Sequence, residues 1–191
     1  MKTKLTHGVG FNSKRKHKTR VDGKNTRAYQ VWYNMIRRCY CPDYQKRNPT
    51  YIGCTVDECW HDFQNFADWF YSQPYGDKGY ELDKDILTPS NKTYSPDTCC
   101  LIPQVINSLL LDGANARGRH PQGVDFHKPS GSYRSRLKIK GKHKHLGYFA
   151  CPVEAYQSYK TAKERHVKNM ALEWANRIEW NVFVALMVWS L

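Results

Sequence analysis

The chain of 191 residues carries 30 Lys and Arg against 17 Asp and Glu, a formal net charge of +13 at pH 7. Its hydrophobic content of 40% and aromatic content of 14% exclude a wholly disordered chain, because that much apolar surface can offset the entropy lost on folding. The longest apolar run, 182–189, is far shorter than the ~20 residues of a membrane-spanning helix, and no signal-peptide pattern opens the sequence. These features predict an intracellular protein without a membrane partner.

The positive charge is concentrated in two segments, 1–27 and 117–149, each with nine Lys or Arg and one acidic residue. A cation that meets a phosphate releases condensed counterions, so such blocks favour a polyanionic partner. The alternative is a solubilising surface. An anionic membrane is disfavoured, because neither block follows an amphipathic helical repeat.

The first basic block, 1–27, lacks apolar periodicity and predicts a flexible basic arm that tracks a phosphate backbone. Its candidate DNA contacts are Lys14, Arg15 and Lys16. Helical spacing of apolar residues then predicts one helix from Ala28 and a second with Asp57 as its N-cap.

Residues 80–102 predict a β-hairpin, with YELDKDIL and CCLI as its strands, and Pro103 then opens a short helix. The segment GANARGRHPQ (113–122) has the composition of a linker. It separates a first domain, 28–112, from a second, 123–173.

The second domain begins with a clear alternation of residue types. Strand side chains point to opposite faces with a period of two, so one face is apolar and the other cationic. The mainly apolar face carries Tyr133, Ser135, Leu137 and Ile139, and the cations between them are Arg134, Arg136, Lys138 and Lys140.

Two further strands, 123–127 and 142–149, and a helix over 153–170 complete a predicted βββα domain with one uncovered basic face. A ribbon of this kind fits the ~12 Å major groove of DNA. Lys142 and Lys144 add to the candidate DNA contacts.

The segment 123–166 resembles the plant ethylene-response-factor (apetala-type) DNA-binding domain. The shared pattern is Gly-Val, Tyr-x-x-x-Leu/Ile, Gly-Lys, Leu-Gly-x-Phe and Glu-Ala-x-x-x-Tyr. In that family the three-stranded sheet lies in the major groove, so the resemblance implies double-stranded DNA as partner. Phage-encoded homing endonucleases of the HNH class often carry this module after a nuclease domain.

The preceding segment, YELDKDILTPSNKTYSPDTCCLIPQVINSLL, is similar to the HNH ββα-metal core, and 29–70 resembles a region common in phage proteins of this kind. The resemblance implies that Asp83 and Asn107 hold a divalent metal, Mg or Mn. Lys84 stands where the family has its general-base His, and Thr98 where it has a loop Asn. A lysine is a poor base at neutral pH.

The replacement of the general-base His leaves two interpretations open. Either the base has moved, with Asp85 next door and His61 in the preceding helix as candidates, or catalysis is lost while binding remains. The candidate catalytic residues are therefore Asp83, Lys84, Asp85 and His61.

Seven cysteines without a Cys-x-x-Cys pair argue against structural zinc and for buried free thiols. The apolar segment 174–191 is expected to pack on one of the domains or to form a homodimer contact.

The sequence thus predicts an α+β protein, with an N-terminal helical, HNH-like ββα domain followed by a three-stranded antiparallel sheet packed on a long helix. The leading functional hypothesis is a phage-type DNA-binding protein of the HNH homing endonuclease class, in the host cytoplasm. The alternatives are a catalytically inactive DNA-binding accessory or regulatory protein, and an inhibitor of a host protein. RNA in place of DNA also stays open, because phosphate contacts do not tell them apart.

Overall fold

The structure, a computed structural model, describes residues 5–111 and 119–191 of a mixed α+β chain. Its residues divide into two compact units, Met1–Asn107 with Ile178–Val182, and Ser108–Arg177 with Phe183–Leu191. Most of the expected linker, 113–122, lies outside the described residues. No helix in the described ranges has both the length and the apolarity needed to cross a bilayer.

The first unit is built on two helices that bury aromatic side chains against each other. Its elements are β1 (Arg20–Val21), β2 (Lys24–Asn25), α1 (Arg27–Tyr40), α2 (Pro42–Arg47), β3 (Thr55–Val56), α3 (Phe63–Ser72), β4 (Glu81–Asp83), β5 (Thr93–Tyr94), β6 (Cys100–Ile102) and α4 (Gln104–Leu110). Thr26 caps α1 by accepting from the Tyr29 backbone N–H. The indole of Trp32 donates to the Trp60 carbonyl at 2.7 Å, which gives the buried ring a polar partner.

The second helix begins later than the sequence predicts. Asp57 caps only a 3₁₀ turn, Glu58–His61, by accepting from the Cys59 N–H. The α-helix α3 starts at Phe63, with Asp62 as its N-cap. Both aspartates suit the capping position, and the second is used for the long helix because the apolar stripe from Phe63 onward packs against α1.

The predicted hairpin forms, with β4 and β6 antiparallel and Asp83 opposite Cys100, and α4 follows directly. The chain between these strands is not a simple turn. It contains β5, which pairs in parallel with β3. The first unit therefore has the strand, strand, helix order that the sequence suggested, without a continuous sheet around it.

The second unit contains β7 (Val124–His127), β8 (Ser132–Ile139), β9 (Lys142–Phe149) and α5 (Pro152–Trp174), and α6 (Trp180–Val188) follows it in the chain. The three strands form one antiparallel sheet in the order β7-β8-β9. Helix α5 packs on one face of this sheet, where Ser135 and Leu137 are buried. The coarse prediction of a three-stranded sheet packed on a long helix is confirmed.

The C-terminal segment buries one stripe of its side chains, Ile178, Val182 and Leu186, at the four-residue spacing of a helix. Val184 and Val188 are exposed. The expected homodimer contact through this segment stays a prediction.

Gly123, at the entry to the sheet, provides a test of how α5 packs. It has a left-handed φ of +76°, and an added Cβ would overlap the Tyr159 ring on α5. We expect Gly123→Ala to lower the free energy of unfolding by about 3 kcal/mol, because backbone strain and overpacking add. Gly131, with a φ of +63° and open space around its Cβ position, is the matched control and should cost only about 1 kcal/mol as Ala. Equal losses in chemical denaturation would contradict the packing of Tyr159 on Gly123.

Candidate nucleic-acid interface

The pairing register of the second sheet defines which side chains point away from α5. Arg134 lies opposite both Asp125 on β7 and Tyr148 on β9, Arg136 opposite His145, and Lys138 opposite His143. We call this surface the outer face. Its members are Asp125, His127, Ser132, Arg134, Arg136, Lys138, His143, His145 and Tyr148.

Two of the predicted cations on the outer face are already paired with a carboxylate. Arg134 Nη2 lies 2.7 Å from Asp125 Oδ2, and Arg136 Nη2 lies 2.8 Å from Asp125 Oδ1. Desolvation acts to raise the pKa of the Asp125 carboxyl, but hydrogen bonds and charge from the two guanidiniums outweigh it and hold that pKa below its ordinary value. One carboxylate between two guanidinium groups leaves a net positive charge.

The other two predicted cations differ in position. Lys138 is exposed on the outer face. Lys140 is not part of β8. It adopts a left-handed φ of 48° in the turn to β9, where its ammonium lies 4.0 Å from the Glu173 carboxylate. The row of four strand cations is therefore a row of three followed by a turn lysine.

Lys142 and Lys144 lie on the opposite face of the sheet from this row. The turn at Lys140 and Gly141 pairs Ile139 with Lys142, and Leu137 with Lys144, so both lysines share the apolar residues' face and remain exposed on the edge strand. Lys142 and Lys144 therefore do not share a face with Arg134, Arg136 and Lys138, and their expected contact with DNA stays a prediction. The two-residue Lys-Gly turn was the sequence signal that could have assigned His143 and His145 to the outer face instead.

Tyr148 reaches the outer face because of a β-bulge. Between Ser135 and Arg136 the register shifts, so that Leu146 has no partner residue on β8. Uninterrupted alternation after His145 would place Tyr148 on the α5 side, and the extra residue reverses this. The Tyr148 ring centroid then lies 4.6 Å from that of His145 and 5.1 Å from that of His127.

The basic arm is held against α3 in its described part, 5–27, and does not form the flexible segment that its composition suggests. The Ser13 N–H donates to Asp62, and Arg15 Nη2 donates to Asn65 and, at 3.4 Å, to Asp62. Lys16 and His17 both contact the Asp68 carboxylate, at 3.2 and 2.8 Å. Two of the three predicted arm contacts, Arg15 and Lys16, are therefore paired within the protein, while Lys14 is exposed.

The loop of the arm lines an open cleft of about 430 Å³. The cations lining it are Lys14, Arg15, Lys16, Lys18 and Arg20. Of the carboxylates that the structure describes, only those of Asp62 and Asp68 pair with these cations. The cleft therefore keeps a net positive charge and can attract a phosphate group without any change in the backbone.

A buried amide, that of Gln64, makes four of the hydrogen bonds that hold the arm. The side-chain oxygen of Gln64 accepts from the backbone N–H groups of Lys16 and His17 at 2.8 and 2.7 Å. Its NH₂ group donates to Asn12 Oδ1 and to the His17 carbonyl. All four hydrogen-bonding positions of this amide are used, which explains a buried polar residue in an otherwise apolar stripe.

We expect Gln64→Leu to lower the free energy of unfolding by about 2–4 kcal/mol, because two backbone N–H groups lose their acceptor. Trypsin should then cut the arm at Lys14, Arg15 and Lys16 faster than in the wild type, as mapped by mass spectrometry. Asp68→Asn keeps an oxygen acceptor for Lys16 and His17 and removes only the charge of a half-exposed carboxylate, so as the control it should change both readouts less than Gln64→Leu. Unchanged cleavage in Gln64→Leu would mean that other contacts hold the arm.

The hairpin that resembles a catalytic core uses its ionisable groups for hydrogen bonds within the loop. Asp83 Oδ1 accepts from the backbone N–H groups of Asp85 and Ile86, both at 2.8 Å. Lys84 is 7% exposed, and its ammonium donates to Asp85 Oδ1 at 2.6 Å and to the Asn91 carbonyl at 2.7 Å. Lys84 is therefore placed as a hydrogen-bond donor to the loop, and its expected catalytic role stays a prediction.

The other residues of the expected site, His61, Asn107 and Thr98, have their own surroundings in the described part of the chain. His61 Nε2 lies 3.4 Å from the Tyr40 hydroxyl. Among the described residues, no hydrogen bond or ion pair connects Asp83 to His61 or Asn107. Thr98, at the loop position of the resemblance, instead closes a turn with the Ser95 hydroxyl at 2.8 Å.

The donor set does not fit a Mg or Mn site as arranged. One Asp83 oxygen is committed to two backbone N–H groups, and the Lys84 ammonium follows directly in the chain. Within 5–111 and 119–191, no cluster of three or more His, Cys, Asp or Glu side chains could hold a metal ion. The cysteines are free thiols, and burial raises the pKa of Cys39 and of Cys99 to about 12.

Asp83 can be tested with two variants that separate hydrogen bonding from charge. Burial raises the pKa of the Asp83 carboxyl, so the folded protein binds this proton more tightly than the unfolded chain does. The contribution of Asp83 to the free energy of unfolding therefore increases as the pH falls. Asp83→Asn keeps the acceptor and removes the buried charge, and we expect it to match or exceed wild-type stability at neutral pH. Asp83→Ala loses both turn hydrogen bonds and should cost about 1–2 kcal/mol in chemical denaturation. Equal destabilisation by both variants would contradict the turn role.

No protein-family model matches the chain, and comparisons with curated proteins and with solved structures yield no match. The resemblances to the HNH core and to the ethylene-response-factor domain therefore stay predictions.

Proposed function

We propose that the protein binds double-stranded DNA through the outer face of its C-terminal sheet, and that the hairpin at Asp83 supports the fold without cleaving DNA. The observation that carries the proposal is that Arg134, Arg136 and Lys138 share the one sheet face that α5 does not cover. Asp125 is shared by two of these three cations, so the face keeps a net positive charge that phosphate groups can meet.

The Asp125 carboxylate gives this face a defined geometry. A guanidinium has five N–H donors, and pairing with Asp125 uses only some of those on Arg134 and Arg136. Both groups are therefore oriented before a ligand arrives, with donors left for phosphate or for a base edge. The carboxylate also lowers the net charge, which limits binding to any polyanion and leaves more weight on shape and hydrogen bonding.

The cleft of the basic arm is the second region suited to phosphate. Its exposed cations, including Lys14, can contribute a contact that is independent of sequence. Phosphate contacts of this type raise affinity and its salt dependence without reading bases.

Matched neutralisations on the two faces of the sheet test the proposal. Arg136→Gln with Lys138→Gln removes two charges from the outer face, and Lys142→Gln with Lys144→Gln removes two from the other face. We expect only the first pair to weaken binding to a short duplex strongly and to flatten the slope of log affinity against log salt, by up to ~2. Fluorescence anisotropy over a salt series measures both quantities.

Equal effects of the two pairs would show that total charge, and not the outer face, governs binding. If the protein binds no duplex, even at low salt, the proposal is wrong. That result would favour an inhibitor that contacts a host protein.

The nuclease alternative is favoured by one observation, the order of β4, β6 and α4 around Asp83. Incubation of the purified chain with plasmid and Mg²⁺ or Mn²⁺ tests it. We expect no nicking. Nicking that Asp83→Asn abolishes, although this variant folds, would replace the binding proposal with the nuclease.

A further inference from the structure

We infer that the outer face accepts an unpaired nucleobase stacked on Tyr148, so that its preferred ligand is nucleic acid with at least one base outside the duplex stack. This rests on the proposed function and names the ligand class of the same surface. The observation behind it is a group of three rings, His127, Tyr148 and His145, on the cationic outer face of the sheet.

Tyr148 occupies this position at the cost of regular pairing. The bulge at Leu146 brings it to the outer face, where 48% of its surface is exposed, opposite Arg134. An aromatic side chain turned toward solvent contributes little to the fold, since the apolar core of this unit lies on the other face with Leu137 and Tyr159. Bulges commonly redirect a side chain at a binding surface.

The neighbours of Tyr148 suit a base and its phosphate together. The ring centroids of His145 and His127 lie 4.6 and 5.1 Å from that of Tyr148, which keeps an exposed surface. The residue opposite His127 on β8 is Ser132, and the His127 and Tyr148 rings, from the two outer strands, meet across β8. Arg134 lies opposite Tyr148 and is paired with Asp125 at 2.7 Å, which holds a guanidinium beside the rings.

Proteins contact the edges and the faces of a nucleobase with different kinds of side chain. Within an intact duplex the bases present their edges in the grooves, and hydrogen-bond donors and acceptors read them. The faces become accessible only when a base leaves the stack, and aromatic side chains on a sheet then bind it with little dependence on sequence. Three clustered rings beside three cations are suited to stacking on an unpaired base and less to reading base edges in a groove.

Three probes distinguish these modes: a perfect duplex, the same duplex with one unpaired thymine, and oligothymidine. We expect the wild type to bind the two probes with unpaired bases more tightly than the perfect duplex. Tyr148→Leu should weaken binding to those two by at least about five-fold, because base stacking is lost, and change the perfect duplex by less than about two-fold. Tyr148→Phe keeps the ring and should stay close to the wild type on all three.

Phe126→Leu is the matched control, since Phe126 is an exposed aromatic residue of the same sheet that pairs with Tyr133 on the α5 side. It should leave all three affinities unchanged, and thermal denaturation checks that each variant is folded.

A crosslinking experiment needs no variant. Oligothymidine with one 5-iodouracil, irradiated in complex with the wild-type protein, should crosslink to Tyr148, as located by mass spectrometry. Crosslinks only elsewhere, or none from a bound probe, would overturn the stacking inference.

The two proposals fail in different ways. Duplex binding that is at least as tight as binding to the unpaired probes, with Tyr148→Leu acting equally on all, would overturn the inference and leave duplex binding intact. Absence of binding to every probe would overturn both.

Discussion

The pairing of β8 with β9 is the constraint on which the surface of the second unit depends. Lys140 and Gly141 both adopt left-handed φ values, 48° and 81°, so the two strands join through a tight two-residue turn. That turn places His143 opposite Lys138, and every later rung follows from it until the bulge at Leu146. A slip of one residue would move every side chain of β9 to the other face. The outer face therefore exists as a cluster of cations and rings only in this register.

Charge on the outer face is organised as well as concentrated. Asp125 binds both Arg134 and Arg136, which orients the guanidiniums and partly neutralises them. The pKa of this carboxyl is lowered in the folded state. The pairing therefore stabilises the fold at pH values above the ordinary pKa of an aspartate, and this stabilisation is lost as the pH falls through the lowered pKa. At neutral pH the trio is intact, so a ligand meets a preorganised surface and has to compete with one carboxylate.

The first unit uses polar groups that resemble functional ones to secure its loops. Gln64 fastens the basic arm through four hydrogen bonds, and Asp83 and Lys84 close the loop after β4 in the same way. A buried polar group without a hydrogen-bond partner destabilises the fold, and these side chains accordingly have partners within the protein. A pattern of Asp, Lys and Asn in a hairpin is thus compatible with a purely structural role.

The sequence by itself determined the elements whose signal is local. Alternation in 133–140 predicted β8, apolar spacing in 153–170 predicted α5, and together they predicted a sheet with one cationic face, because a period of two or of 3.6 residues translates directly into faces. Only the tertiary structure decided which of several aspartates caps α3, that the arm binds α3, and that Asp125 pairs with two arginines. It also decided that a bulge brings Tyr148 to the outer face while Lys142 and Lys144 lie on the other. These outcomes depend on contacts between residues far apart in the chain, or on one unpaired residue in a strand, and neither leaves a periodic signal in the sequence.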